Sequence, residues 1–270
     1  MRDAAAVVGL GDLGIAIARR LHAVGVEVAG IDGAEDRREL WERETGLPAL
    51  TSTAELDPAG VPRALVCVRT TDQAGAVIAD LNGRLGASAV IYVVTTLAVD
   101  FARGLGRRAA ADGPSLIELP VSGGRGGAER GELVVLPGGS AVEPDDVGFL
   151  ERTLASHVLP MPRYGEATLA KLLNNALAAY NALAYASAVE LAARAGLDVG
   201  TTAELMRRGS GGSWMAEAFE GLVDDLLAKD AALLAAELGP LPTIDLGDLD
   251  ALPLTLARAR RMLAGRKLKQ

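Results

Sequence analysis

A single cysteine, Cys67, leaves no partner for an intrachain disulfide and no means of building a cysteine zinc cage. It lies in the apolar run ALVCV, where an inert strand residue is expected rather than a reactive thiol. Only two histidines are present, His22 and His157, so no histidine-rich metal site is expected and no metal is assigned. Basic residues are outnumbered: 27 Lys and Arg against 35 Asp and Glu give a net charge of −8, which argues against nucleic acid as a partner. No apolar run is long and clean enough to span a bilayer, because the greasiest stretch is interrupted by Lys, Asn, Glu and Arg. No signal peptide is read ahead of the first strand, which is expected by Ala4, and a cytoplasmic location is the expectation.

What is present is a folded globule: 50% of the 270 residues are hydrophobic and 23% charged. Residues 4–9 (AAAVVG) form a short apolar run closed by glycine, followed by LGDLG, the amphipathic stretch IAIARRLHAVG, and VEVAGID ending at Asp32. Gly9, Gly11 and Gly14 match G-x-G-x-x-G, with Leu10, Asp12 and Leu13 between them. The match follows a strand, opens a helix, and has an acid 18 residues after Gly14, the context that turns a weak pattern into a dinucleotide-binding one. The glycines permit a tight turn and close approach of backbone to a pyrophosphate at the helix N-terminus. The competing reading is an ordinary βα turn in another doubly wound fold. A carboxylate at Asp32 accepts from a ribose 2′-OH and repels a 2′-phosphate, which favours NAD. Arg37 and Arg38 follow a turn later, able to reach a phosphate or to stand as solvated helix charges, so NADP is the alternative.

Strand-like runs recur at 64–68, 89–94, 115–119 and 132–136, with helical stretches at about 73–82, 98–111 and 144–155. That alternation predicts a mostly parallel sheet with helices on both faces and ligands beyond the carboxyl ends of its strands. Val68–Arg69, Thr95–Thr96 and Pro120–Gly124 are those ends; Thr95 and Thr96 are weighed evenly between cofactor contact and capping the next helix. In PVSGGRGGAERG, Ser122, Gly123 and Gly124 offer a hydroxyl and free N–H groups in a permissive loop, with Arg125 as a further charged donor. A small anionic substrate suits them; a glycine-rich turn with a solvated arginine is the bland alternative.

The stretch GEATLAKLLNNALAAYNALAYASAVELAARA, Gly165 to Ala195, is expected to form one helix of roughly 45 Å, buried nearly all round. Lys171, Asn174 and Asn175 share one of its faces, and a lysine in such surroundings is costly unless it has partners or works in a cleft. Further helices are expected from LDVGTTAELMRR, capped by Thr201 or Thr202, from Trp214 onward, at 224–238, and at about 253–264. The expected fold is therefore α/β, a Rossmann-type doubly wound, mostly parallel sheet over 1–163. An all-helical domain over 164–270 follows, joined by a long interdomain helix whose apolar side suggests a homodimer or higher homo-oligomer.

Taken together and in order, these segments resemble the β-hydroxyacid dehydrogenase family over nearly the whole chain. GLGDLG is similar to the family's cofactor glycines, Thr95-Thr96 to its Ser-Thr, LPVSGGRGGAERG to its substrate loop, GEATLAKLLNN to the start of its catalytic helix, and AKD at 228–230 to its late Lys-Asp pair. The resemblance implies Lys171 as catalytic acid–base, Asn175 as substrate holder with Asn174 beside it, and Ser122, Gly123 and Gly124 gripping a carboxylate. It also implies that Val68, Arg69, Thr96 and Lys229 lie against the cofactor. From spacing alone, Lys229 and Asp230 could equally face solvent. Arg69 replaces a typical proline, Ala167 a glycine, and Glu118 a common Asp; Asp32-Gly33 stands for Asn-Arg; and the chain stops at LARARRMLAGRKLKQ, short of the family's glycine-rich tail. The expected activity is hydride transfer between a nicotinamide cofactor and a small 3-hydroxy acid or aldehyde acid. The rival readings are an imine or biosynthetic-carbonyl reductase, and a dinucleotide-binding protein without turnover.

Overall fold

The computed structural model of the chain describes residues 3–109, 112–221 and 224–243. In chain order the elements are β1 (Ala4–Val8), α1 (Asp12–Ala23), β2 (Glu27–Ile31), α2 (Glu35–Thr45), β3 (Ala49–Leu50), β4 (Arg63–Val66), α3 (Thr71–Asn82), β5 (Val90–Val93), α4 (Val99–Arg103), α5 (Leu105–Arg108) and β6 (Ser115–Glu118). There follow β7 (Val121–Ser122), α6 (Gly124–Arg130), β8 (Leu133–Val135), α7 (Pro144–Thr153), β9 (Ala155–Val158), α8 (Glu166–Arg194), α9 (Val199–Arg208), α10 (Trp214–Glu217) and α11 (Asp224–Leu238). The helix expected at about 253–264 lies outside the described residues.

Six strands form one parallel sheet in the order β3-β2-β1-β4-β5-β6. The order reverses between β1 and β4, the kind of switch point beyond whose carboxyl ends ligands bind in sheets of this type. The strands are apolar on both faces because helices cover both. On one side Val7, Leu65, Tyr92 and Ile117 meet Ile15, Leu21, Trp41 and Phe149; on the other Val8, Val66, Ile91 and Leu116 meet Ile78, Leu81 and Leu105.

Beside the parallel sheet, the chain builds a small mixed sheet, β7-β8-β9, with β8 antiparallel to β7 and parallel to β9. Single apolar strands of two to four residues carry too little pattern to announce such pairings. The stretch 98–111 divides at Gly104 into α4 and α5.

After α8 only helices follow among the described residues. α8 packs against α4, α9, α10 and α11, and a third apolar cluster joins Val99, Leu172, Ala176 and Leu234. Burial is one-sided rather than all round: Leu177, Leu183 and Leu191 are 58%, 67% and 57% exposed. α9 is capped by Asp198, whose side chain accepts from Thr201 N–H at 2.8 Å, rather than by either threonine. A carboxylate three residues before that amide is an equally good cap, and the threonines fall inside the first turn. Among the described residues no helix is long and apolar enough to cross a membrane.

Candidate active site

The glycine turn sits at the switch point, and its three glycines are there for three separate reasons. Gly9 has φ +99°, donates its N–H to Ile31 O at 2.8 Å, and leaves no room for a side chain: a Cβ would stand 2.5 Å from Cys67 O. A Cβ on Gly14 would lie 1.9 Å from Gly9 O, so this glycine lets α1 close onto the turn. A Cβ on Gly11 would meet nothing within 4 Å. Internal packing thus explains Gly9 and Gly14 but not Gly11, which opens toward empty space at an α1 N-terminus with no side-chain cap. Such a cradle, with unspent amides and a helix dipole, fits the diphosphate of a dinucleotide. Cys67 backs this turn, and burial pushes its thiol up to about 12, in keeping with an inert role.

Asp32, just past β2, holds the turn from the other side. Its Oδ2 accepts Leu10 N–H at 2.7 Å and its Oδ1 accepts Ala34 N–H at 2.9 Å. Arg38 donates to Asp32 O at 2.9 Å and Gly33 O at 2.8 Å, while Arg37 pairs with Asp12 at 3.0 Å. Both arginines are thus engaged beside the position where a ribose would lie.

At the end of β4, Val68 donates its N–H to Thr95 Oγ1 at 3.0 Å, and that hydroxyl donates to Val68 O at 2.8 Å. Thr95 is buried and ties two strand ends together. Neither Thr95 nor Thr96 caps α4, whose N-cap is Ala98, its N–H given to Thr71 Oγ1 at 2.9 Å. Arg69 is exposed beside this junction, its N–H bonded to Gln73 at 3.1 Å.

Gly123 and Gly124, with φ +123° and +61°, make the turn from β7 into α6, in a region of backbone space that side chains disfavour. Ser122 precedes them on β7. Arg125 turns away: its guanidinium binds Glu129 at 2.8 Å, one turn along α6. The structure therefore gathers Ser122 with the helix residues and leaves Arg125 in an exposed ion pair.

The gathering is direct. Asn174 Nδ2 reaches Ser122 Oγ at 3.4 Å and Asn175 Oδ1 at 3.2 Å, and Asn175 Nδ2 donates to Asp230 Oδ2 at 2.5 Å. Lys229 Nζ stands 3.1 Å from Asp230 Oδ1. A polar chain thus runs from Ser122 through both asparagines to the Lys229–Asp230 pair. Lys171 lies one turn before Asn175, half-buried, with no hydrogen bond or ion pair among the described residues. Burial lowers its amine to about 8, with Asp230 pulling it back up and Lys229 pushing it further down. An amine so placed exchanges protons near neutral pH.

Asp230, only 4% exposed, is the acid that sequence reasoning passed over. It stood in the AKD triplet, but only its lysine was given a role. Buried carboxylates need partners, and the neighbouring lysine was the available signal.

A family model described as the NAD binding domain of 6-phosphogluconate dehydrogenase matches residues 4–156. A second, described as NAD-binding of NADP-dependent 3-hydroxyisobutyrate dehydrogenase, matches 165–232. The chain is 30% identical over 237 residues to an L-threonate dehydrogenase of Cupriavidus necator, covering 85% of this chain and 77% of that one. It is 28% identical over 170 residues to an NAD-dependent L-serine dehydrogenase of Pseudomonas aeruginosa, covering 57% of each. Its fold matches the crystal structure of 3-hydroxyisobutyrate dehydrogenase from Salmonella typhimurium with a TM-score of 0.79 and 25% identity, over 89% of this chain and 90% of that one.

Proposed function

The chain belongs to the β-hydroxyacid dehydrogenase family, and from that premise we propose that it moves a hydride reversibly between a nicotinamide cofactor and a small 3-hydroxy acid, with Lys171 as the general acid and base. The class of enzyme is an NAD(P)-dependent oxidoreductase acting on hydroxyl groups. The single observation that carries the assignment of Lys171 is its amine: half-buried, free of hydrogen bonds among the described residues, and lowered to about 8 by burial beside Asn175 and Asp230.

When bound, the nicotinamide supplies or accepts the hydride. The chain's own residues do the rest. Lys171 gives its proton to the substrate oxygen in reduction and takes one in oxidation. Asn175 Oδ1 accepts from Asn174 on one lone pair and keeps the other for the substrate hydroxyl, while its amide nitrogen holds Asp230. Ser122 and the N–H groups of Gly123 and Gly124 bind the substrate carboxylate. Gly9, Gly11 and Gly14, with Leu10, Asp12 and Leu13, hold the diphosphate; Val68, Arg69, Thr96 and Lys229 line the remainder of the cofactor path. NAD is the favoured cofactor, because Asp32 sets a negative charge where a 2′-phosphate would stand. The division at 163/164 and a homodimer seated on the exposed leucines of α8 complete the reading.

The test is turnover by the purified protein of a panel of 3-hydroxy acids with NAD and NADP, and of the aldehyde acids with NADH and NADPH. Oxidation of at least one 3-hydroxy acid with a higher kcat/KM for NAD is expected. Preferential reduction of a cyclic imine in the same panel, or cofactor binding without any turnover, overturns the reading.

A further inference from the structure

A helix needs acceptors for its first N–H groups, and a residue at the N-cap usually provides one for N3. At the start of α8 that residue is Gly165, which has no side chain, has φ +88°, and could not carry one: a Cβ there would press on Arg103 Cγ at 2.6 Å. The cap comes instead from far away. Glu118, at the end of β6, accepts Gly165 N–H at 2.7 Å on Oε2 and Thr168 N–H at 2.6 Å on Oε1. It is 1% exposed, and its backbone exchanges hydrogen bonds with Gly138 at 2.7 and 3.1 Å. Gly138 is a close fit: a Cβ on it would stand 2.9 Å from both Glu118 Oε2 and Ala167 Cβ.

Position gives this cap a consequence beyond stability. Glu118 lies four residues before Ser122, and Thr168 lies three before Lys171. The second tie between the same two segments is Asn174 to Ser122, three residues after Lys171. Lys171 therefore stands midway between two rungs that fasten α8 to the strand leading into the Ser122–Gly124 turn.

We propose that Glu118 is a positioning residue for Lys171, its carboxylate fixing the first turn of α8 and with it the place of the amine relative to the Ser122–Gly124 turn. The proposal rests on the functional reading above for what the amine does. It does not rest on that reading for where the amine sits. Burial holds the Glu118 carboxyl above the usual range, against the hydrogen bonds from Thr168 and Gly165, with Glu166 adding to the rise. Placing a buried carboxylate there is costly, and an apolar filler with a serine cap would make a cheaper helix start.

The experiment is Glu118→Gln, which keeps size but turns one acceptor into a donor facing an N–H. Four measurements are needed: kcat, KM, the dissociation constant of NADH, and the titration of Lys171. The chain has only four lysines, so a lysine-labelled NMR spectrum holds few signals, and Lys171→Arg identifies the one that matters. The groups that bear on this titration are Asp230 and Lys229, both untouched by the substitution. Expected are a fall in kcat of about tenfold or more, KM and the NADH dissociation constant within about threefold, and a Lys171 pKa rising from about 8 towards its ordinary value as water reaches the loosened turn. A lower Tm with kcat and the Lys171 titration unchanged would make Glu118 a structural cap only and overturn the proposal. If the unaltered protein turns over no hydroxy acid, the functional reading fails. The Lys171 titration still decides the role of Glu118.

Discussion

Asn175 donates its amide to Asp230 across 2.5 Å, and this bond joins the third turn of α8 to α11, one turn beyond Lys171. The same carboxylate faces Lys229 at 3.1 Å and supports the charge on Lys171 from a distance. One buried acid therefore orients the Asn175 amide and holds up the pKa of Lys171.

Asp230→Asn retains an acceptor for Asn175 and removes the charge. Because Asp230 raises the Lys171 pKa, its loss lowers that pKa below about 8. On the proposed role of Lys171, reduction needs the protonated amine, so the pH at which reduction falls by half moves down, by about one unit, which corresponds to ~1.4 kcal/mol. Oxidation needs the neutral amine and its rise moves down by the same amount. Profiles of kcat against pH in both directions measure the shift. An unmoved midpoint rejects the electrostatic role of Asp230.

Lys171 itself carries two opposite predictions for activity and stability. Lys171→Met removes most of kcat, by about 100-fold or more, and leaves NADH binding intact. The same substitution raises Tm at pH 7, because the charged amine is held where burial disfavours it. The sign of the pH dependence follows. The folded pKa, about 8, lies below the ordinary lysine value of 10.5 that the unfolded chain keeps. The folded protein thus sheds its proton first and gains stability as pH climbs from 8 to 10.5. The Tm advantage of the methionine variant should shrink over that window in thermal melts. A gap that widens contradicts the placement of this amine.

Much of this was legible in the sequence because it is local. The glycine turn, its strand and its helix occupy adjacent residues, and Lys171, Asn174 and Asn175 share a face by helix periodicity alone. What was not legible is what the fold brings together over distance. Glu118 caps a helix that starts 47 residues later, and Asp230 meets an asparagine 55 residues away. The pairing of β7, β8 and β9 joins segments too short to carry a period. Arg125 shows a local contact that spacing makes legible: Glu129 stands at i+4, and the two form an exposed ion pair.

Gly11 and Gly14 separate ligand from packing. A methyl group on Gly11 meets no protein atom within 4 Å, so Gly11→Ala should leave Tm within a degree or two and raise the NADH dissociation constant about tenfold or more. On Gly14 the same methyl would fall 1.9 Å from Gly9 O, so Gly14→Ala should lower Tm by several degrees before any ligand is added. Melting curves with and without NADH distinguish the pair. Equal destabilisation by both substitutions would mean that the turn is merely structural.

Asp32 should set cofactor choice by charge. Asp32→Asn keeps an oxygen for Leu10 N–H while removing the repulsion toward a 2′-phosphate. The ratio of kcat/KM for NAD over NADP should fall by about tenfold or more. Arg37 is held by Asp12 at 3.0 Å in an exposed pair, and such pairs contribute at most about 1 kcal/mol. Once the charge at position 32 is gone, Arg37 can turn to the phosphate, and adding Arg37→Ala should reverse the gain in NADP use. A protein that already prefers NADP with Asp32 intact would refute this account.

The apolar side of α8 yields the last prediction. Leu177, Leu183 and Leu191 are each more than half exposed on a helix that is otherwise alanine-rich and packed, and Leu205 on α9 is 69% exposed. Single exposed leucines are ordinary, but several on one helix of a −8 chain make a surface that water penalises. A second copy laid on the same face would cover it with like surface, which is what a two-fold axis provides. Leu183→Glu places two like charges near that axis in a dimer and only one in water in a monomer. Sedimentation should therefore report a dimer for the unaltered chain and a monomer, or a dimer weakened by about tenfold or more, for the variant. A chain that sediments as a monomer before any substitution would leave the α8 leucines open to solvent and remove the homodimer from the reading.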